Sequence, residues 1–163
     1  MKFAMPLAAL LAATLGVAAT HAQEAVVGVA NPEALFTNPD PKLNANLQAA
    51  YHIEKDLLEC GQWDKAGQWL TQDYHQHNPN AKSGLPGVIF FFTQVLKVKP
   101  SPVPEKIGIP IAGVVAQGDY VVVITPKVVK DAKDPTKTYT TSWFDMWRFK
   151  DGKADEHWDP ATR

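Results

Sequence analysis

Residues 142–159 read SWFDMWRFKDGKADEHWD. Asp151-Gly152 is a hairpin signal between two runs in which aromatics alternate with polar and charged residues. The stretch is therefore expected to fold back on itself as two antiparallel strands. Alternate residues of a strand share a face. Trp143, Asp145, Trp147 and Phe149 fall on one face, and Phe144, Met146 and Arg148 on the other. On the return, Asp155, His157 and Asp159 go together, opposed to Glu156 and Trp158. Register decides which sets meet. A two-residue turn at Asp151-Gly152 places Asp145 on the face of Glu156 and Trp158. A type I turn with a glycine bulge shifts the pairing by one. It then sets Asp145 opposite His157, with Asp159 on the same face. The alternation is compatible with both registers. The bulged form is the expectation, because it gathers His157 and two carboxylates among aromatics.

Upstream of this hairpin the chain reads as strand again. Tyr120–Val129 carries the β-branched run Val121-Val122-Val123-Ile124, and Lys106–Ala116 reads as its partner across Gln117-Gly118-Asp119. Asp131–Lys137 is a polar loop. Before the strands, the periods are helical. Leu43, Leu47, Ala50, Tyr51, Ile53, Glu54, Leu57 and Leu58 keep helical spacing, with Gly61 as a natural stop. Trp63, Ala66, Trp69 and Leu70 suggest a short second helix. Leu85–Lys97 suggests a third, with Pro86 near its first turn and an apolar surface that predicts burial. Thr71–Pro79 is extended. Helices followed by an antiparallel meander give an α+β class, with helices packed on one side of a curved sheet that encloses a pocket.

Composition bounds the rest. The 163 residues suffice for one domain with a core, and 45% hydrophobic residues exclude a disordered chain. A net charge of −1 without a dense basic patch excludes a nucleic-acid partner. Residues 1–22 carry Lys2, an Ala/Leu-rich run and small residues at positions −3 and −1 of a cut after Ala22, which identifies a secretory signal peptide. Its removal drops Lys+Arg from 16 to 15 against 17 acids, a net charge of −2. The expected destination is the periplasm or the exterior, with no membrane association after cleavage. Residues 23–41, rich in proline, read as an extended leader on a domain at 42–163. Cys60 is the one cysteine, so the domain must be held by its core and not by a disulfide. Beside Gly61 at a helix end, Cys60 reads as a buried small hydrophobe.

Two stretches concentrate the ionisable chemistry: YHQHNP at 74–79 and EHWD at 156–159. A carboxylate beside an imidazole in an aromatic-lined pocket suits general acid/base work near neutral pH. The plainer alternative makes Asp145 and Arg148 salt-bridge partners and His157 a satisfied structural group. His75 and His77 form an H-x-H pair on one strand face. Joined by His157 and an Asp, they would suit a metal, but H-x-H is a weak pattern and no metal is expected. Neither a nucleophile elbow nor a phosphate-binding loop occurs.

Gln76-His77-Asn78-Pro79, Gly118-Asp119, Asp145-x-x-Arg148, Asp151-Gly152-Lys153 and Glu156-His157-Trp158-Asp159 follow one another in order. This set resembles the SnoaL-like branch of the nuclear-transport-factor-2-like superfamily, over roughly Lys42 to Asp159. The resemblance implies a cone-shaped α+β fold with a deep pocket between the helices and the curved sheet. It also implies similarity to polyketide cyclases, which close a ring by intramolecular aldol condensation without metal or cofactor. Carried onto this chain, Asp159 is the first choice for acid/base, with Asp145, His77 and His157 as supporting catalytic groups. Gln76 and Asn78 are candidate donors to substrate, and Tyr74, Trp143, Trp147 and Phe91 would line its site. The implied partner is a small hydrophobic or carbonyl-bearing molecule, and the implied assembly a homodimer. His75 stands where the signature is usually apolar. A non-catalytic binding module is the alternative function, and a metal-dependent hydrolase-like site around His75, His77 and His157 a lower one. An Asp145 locked to Arg148 would favour binding or structure over catalysis.

Overall fold

A computed structural model describes residues 24–162. The signal peptide expected at 1–22 lies outside the described residues. Among the described residues, no helix is long and apolar enough to cross a membrane.

The segment before the first helix is more than an extended leader. Pro32–Phe36 forms a 3-10 turn, and Phe36 is fully buried in the core. Gln48 donates its side-chain amide to the Phe36 carbonyl, which ties this turn to the helix behind it. Helix α1 (Pro41–His52) starts at a strong N-terminal signal: Asp40 accepts the Leu43 N–H and Pro41 takes the first helical position. The helix then widens into a π-helical turn, Ile53–Glu59, where the Cys60 N–H reaches back to the Lys55 carbonyl. Gly61 ends it at φ +67. A Cβ there would lie 2.7 Å from Val98 Cγ1 and 2.9 Å from the Lys99 carbonyl oxygen, so the stop needs glycine for space as well as for conformation. The expected second helix is a 3-10 turn, Trp63–Gln68.

The sheet has five strands in the order β1-β5-β4-β3-β2: β1 (Leu70–Gln76), β2 (Gly113–Gln117), β3 (Tyr120–Lys130), β4 (Thr138–Lys150) and β5 (Lys153–Trp158). The extended segment after Leu70 thus joins the sheet, parallel to β5, while the other pairings are antiparallel. The α+β class and curved sheet hold, with a mixed rather than purely meandering topology. Residues 106–112 are not strand; β2 begins only at Gly113, after Pro110 has removed a ladder donor. Cys60 is buried, as a small hydrophobe at a helix end should be.

Helix α2 (Leu85–Phe90) continues as a π-helical turn, Phe91–Val95. Its burial departs from expectation: Val88 is the one buried side chain, and Phe90 is 58% exposed. The helix rims a cavity instead of sinking into the core, so its apolar side chains face an opening. The core itself lies between α1, its π turn and the inner sheet face, around Phe36, Leu57, Ile111, Val121, Val123 and Trp147.

Candidate functional site

The β4–β5 hairpin sets the site. Asp151 (φ 51) and Gly152 (φ 75) both take positive φ, the two-residue turn that matches strand twist. Lys150 pairs with Lys153 and Phe149 with Ala154. The ladder then slips by one residue between Phe149 and Arg148, so that Arg148 pairs with Glu156, Trp147 with His157 and Met146 with Trp158. The shift foreseen at the turn is therefore a bulge at Asp155. It leaves Asp155 and Glu156 opposite one arginine, and Arg148 binds both: Nε and a terminal nitrogen to Asp155 at 3.2 and 3.0 Å, and Glu156 Oε2 at 2.9 Å. His157 stands directly across from Trp147, and Asp145 reaches it diagonally.

One cavity of about 380 Å³ opens between α2, the π turns and the inner sheet face. Tyr74, Gln76, Asn78, Phe91, Trp143, Asp145, Trp147, His157 and Asp159 all line it. His77 does not. Gln76 points inward from β1, so His77 turns to the other side, where it stacks on Trp158 (ring centroids 4.9 Å apart) and bonds Glu156 at 2.8 Å. His75 is exposed and borders a separate open groove. The H-x-H pair does share a side of its strand, but away from His157, so the histidine set of the lower, metal-dependent alternative is not assembled.

The hydrogen-bond directions in the polar wall follow from backbone donors. The Asn78 N–H donates to Gln76 Oε1 at 3.0 Å, which fixes that amide oxygen as an acceptor. His157 Nδ1 lies 2.8 Å from the same oxygen, so Nδ1 carries a hydrogen. His157 Nε2 faces Asp145 Oδ1 at 3.0 Å. One proton therefore sits between imidazole and carboxylate, either on nitrogen or on oxygen. The Asn80 N–H donates to Asn78 Oδ1, which orients the Asn78 Nδ2 donor onto Asp159 Oδ2 at 2.7 Å. The Ala161 N–H donates to Asp159 Oδ1 at 2.9 Å. Both Asp159 oxygens thus accept, the pattern of an ionised carboxylate. Asp145 is not paired to Arg148, whose partners lie on the outer face.

The remaining wall is aromatic. Trp63 and Phe92 stack at 3.7 Å, Phe91 meets Phe92 edge-on, and Trp143 carries the Lys127 ammonium 3.8 Å over its ring. Trp63, in the 3-10 turn, is both core and pocket wall. Trp147 Nε1 donates to Tyr74 Oη at 3.1 Å, in the buried interior. Burial pushes the Tyr74 phenol well above the usual tyrosine range, against the Trp147 hydrogen bond.

Sequence reasoning missed Glu54. It is 2% exposed, and its buried Oε1 has no hydrogen-bond partner among the described residues. Burial, then the charge of Asp145, raises it well above the usual glutamate range. The signal was present: a glutamate inside the apolar stripe that runs from α1 into its π turn.

Asp145, His157 and Asp159 each offer a ligand atom within 4.8 Å of one another. Two carboxylates and an imidazole suit a divalent cation. In this arrangement, however, the imidazole is committed to Asp145 and Asp159 to Asn78 and Ala161.

Helices over a curved mixed sheet, with an aromatic pocket ending in a His/Asp/Asp wall, define a small-molecule pocket protein of the α+β type. The chain belongs to the SnoaL-like domain family, whose sequence profile matches residues 52–157. Solved structures agree on the fold. A protein from Jannaschia sp. CCS1 described as a SnoaL-like polyketide cyclase is 16% identical, with 76% of this chain and 91% of that one covered at TM-score 0.52. A nuclear-transport-factor-2-like protein of unknown function from Burkholderia pseudomallei is 17% identical over 72% and 91%, also at 0.52. A Bacillus cereus protein described as a polyketide cyclase is 18% identical over 86% and 87%, at 0.50. No curated protein matches.

Proposed function

We propose that the cavity binds a small hydrophobic molecule bearing a carbonyl and moves a proton on it by acid/base chemistry. The observation that carries this reading is the ordered protonation of the polar wall: an acceptor carboxylate, Asp159, beside the proton shared by His157 and Asp145. In the step inferred, Asp159 takes a proton from carbon next to the carbonyl. The C–H electron pair becomes the C=C bond of an enolate, and the carbonyl π pair moves onto oxygen. The Asp145–His157 pair holds the proton that a later step returns. A base and an acid held apart in protonation at one site is the arrangement that proton transfer to and from carbon requires. The aromatic wall excludes water and holds the apolar body of the substrate.

The test needs no knowledge of the natural substrate. A panel of aryl methyl ketones and β-keto esters is incubated with the protein in D₂O, and loss of the α-proton signal is followed by NMR. The wild type should accelerate exchange over buffer. Asp159→Asn should lower that acceleration by at least about a hundredfold, the usual scale of a lost general base, while keeping the fold and ligand affinity. Ketones that bind without exchanging in the wild type would establish the binding module instead.

A further inference from the structure

An enolate forms only where its oxygen meets a donor, and the polar wall offers few that are uncommitted. One Asn78 Nδ2 hydrogen is held by Asp159, and the His157 Nδ1 hydrogen by Gln76. Tyr74 differs. Its oxygen accepts the Trp147 indole N–H at 3.1 Å, and its own hydroxyl hydrogen has no acceptor among the described residues. A phenol hydrogen lies in the ring plane on one of two sides. With the indole on one side, the hydrogen takes the other. Tyr74 is 3% exposed and lines the same cavity as Asp145 and Asp159. Tyr74 and His157 also lie nearly parallel, with ring centroids 6.4 Å apart.

We infer that the Tyr74 hydroxyl is the donor that receives the substrate's carbonyl oxygen. This rests on the proposed carbonyl-binding function of the same cavity. Trp147 positions the phenol and polarises it, since a hydroxyl that already accepts a hydrogen bond is a better donor. Its buried place makes the bond stronger than one made at the cavity mouth. Burial also keeps the phenol protonated, so it donates a hydrogen bond and does not surrender its proton. The alternative donors on this wall, the Gln76 side-chain NH₂ group and the second Asn78 Nδ2 hydrogen, belong to partly exposed residues.

The experiment compares 2-acetonaphthone with 2-isopropenylnaphthalene, which has CH₂ in place of the carbonyl oxygen. Affinities for both are measured on the wild type and on Tyr74→Phe, together with the infrared C=O stretch of carbonyl-labelled ketone. The wild type should prefer the ketone and shift its C=O stretch to lower frequency. Tyr74→Phe should lose about tenfold in ketone affinity and the frequency shift, and keep its affinity for the alkene. A shift that persists in Tyr74→Phe assigns the donor to another group on the wall and overturns the inference. A wild type that binds neither compound ends the carbonyl-pocket reading itself, and the Tyr74 role with it. Should Tyr74→Phe fail to fold, as loss of alkene binding would reveal, the wild type is prepared with 3-fluorotyrosine, a stronger donor. The C=O shift should then increase, and an unchanged shift overturns the inference equally.

Discussion

Glu54 shows how one buried side chain can set a pH dependence. Its folded-state acidity is weakened by burial and by Asp145, above the ordinary value of 4.5. The folded chain therefore keeps a proton that the unfolded chain releases once pH passes the ordinary range. More protons bound in the folded state means stability falls as pH rises through that interval. Glu54→Gln removes the dependence. The variant should be more stable than wild type in urea at pH 7 and should converge with it toward pH 4. A variant less stable at pH 7, or offset by the same amount at both pH values, would show that the carboxyl makes a bond the structure does not contain. At this scale, strand parity alone placed Trp143, Asp145 and Trp147 correctly. His77 went astray because its neighbour Gln76, one residue away and so on the other face, is the side chain that faces His157.

At the scale of elements, glycines mark where the chain turns, and the two most informative ones differ in surroundings. Gly61 and Gly152 both take positive φ, at +67 and +75. A Cβ at Gly152 would meet nothing within 4 Å, whereas at Gly61 it would run into Val98 and the Lys99 backbone. Gly152→Ala should therefore cost about 1 kcal/mol, the left-handed penalty alone. Gly61→Ala should cost clearly more, since the steric clash adds to the same penalty. Chemical denaturation of the two variants side by side measures the difference, and equal losses would mean that the loop after α2 yields freely. The bulge at Asp155 was not readable as such. A one-residue slip was foreseen, but the turn residues suit a two-residue hairpin, and the slip arises where Arg148 gathers Asp155 and Glu156 on the outer face.

At the scale of the whole molecule, the segment before α1 belongs to the fold. Phe36 is fully buried and packs edge-to-face on Tyr51 at 5.3 Å. Phe36→Ala should lower stability by about 3–5 kcal/mol, as loss of a buried aromatic does. A chain starting at residue 42 should be destabilised at least as much. Urea unfolding decides it, and an unaffected truncation would mean the segment only lies on the surface. Local pattern was enough to determine the α+β class, the β3–β5 strands and which side chains of β4 share a face, because side-chain alternation and helical period are written in neighbouring residues. The tertiary structure alone decided three things: that β1 joins β5 in parallel, that α2 rims an opening instead of filling the core, and that Asp145, His157 and Asp159 close on one another with Glu54 buried nearby. Each depends on pairing between residues far apart in the chain, and a one-residue bulge is enough to exchange which face of a strand meets the pocket.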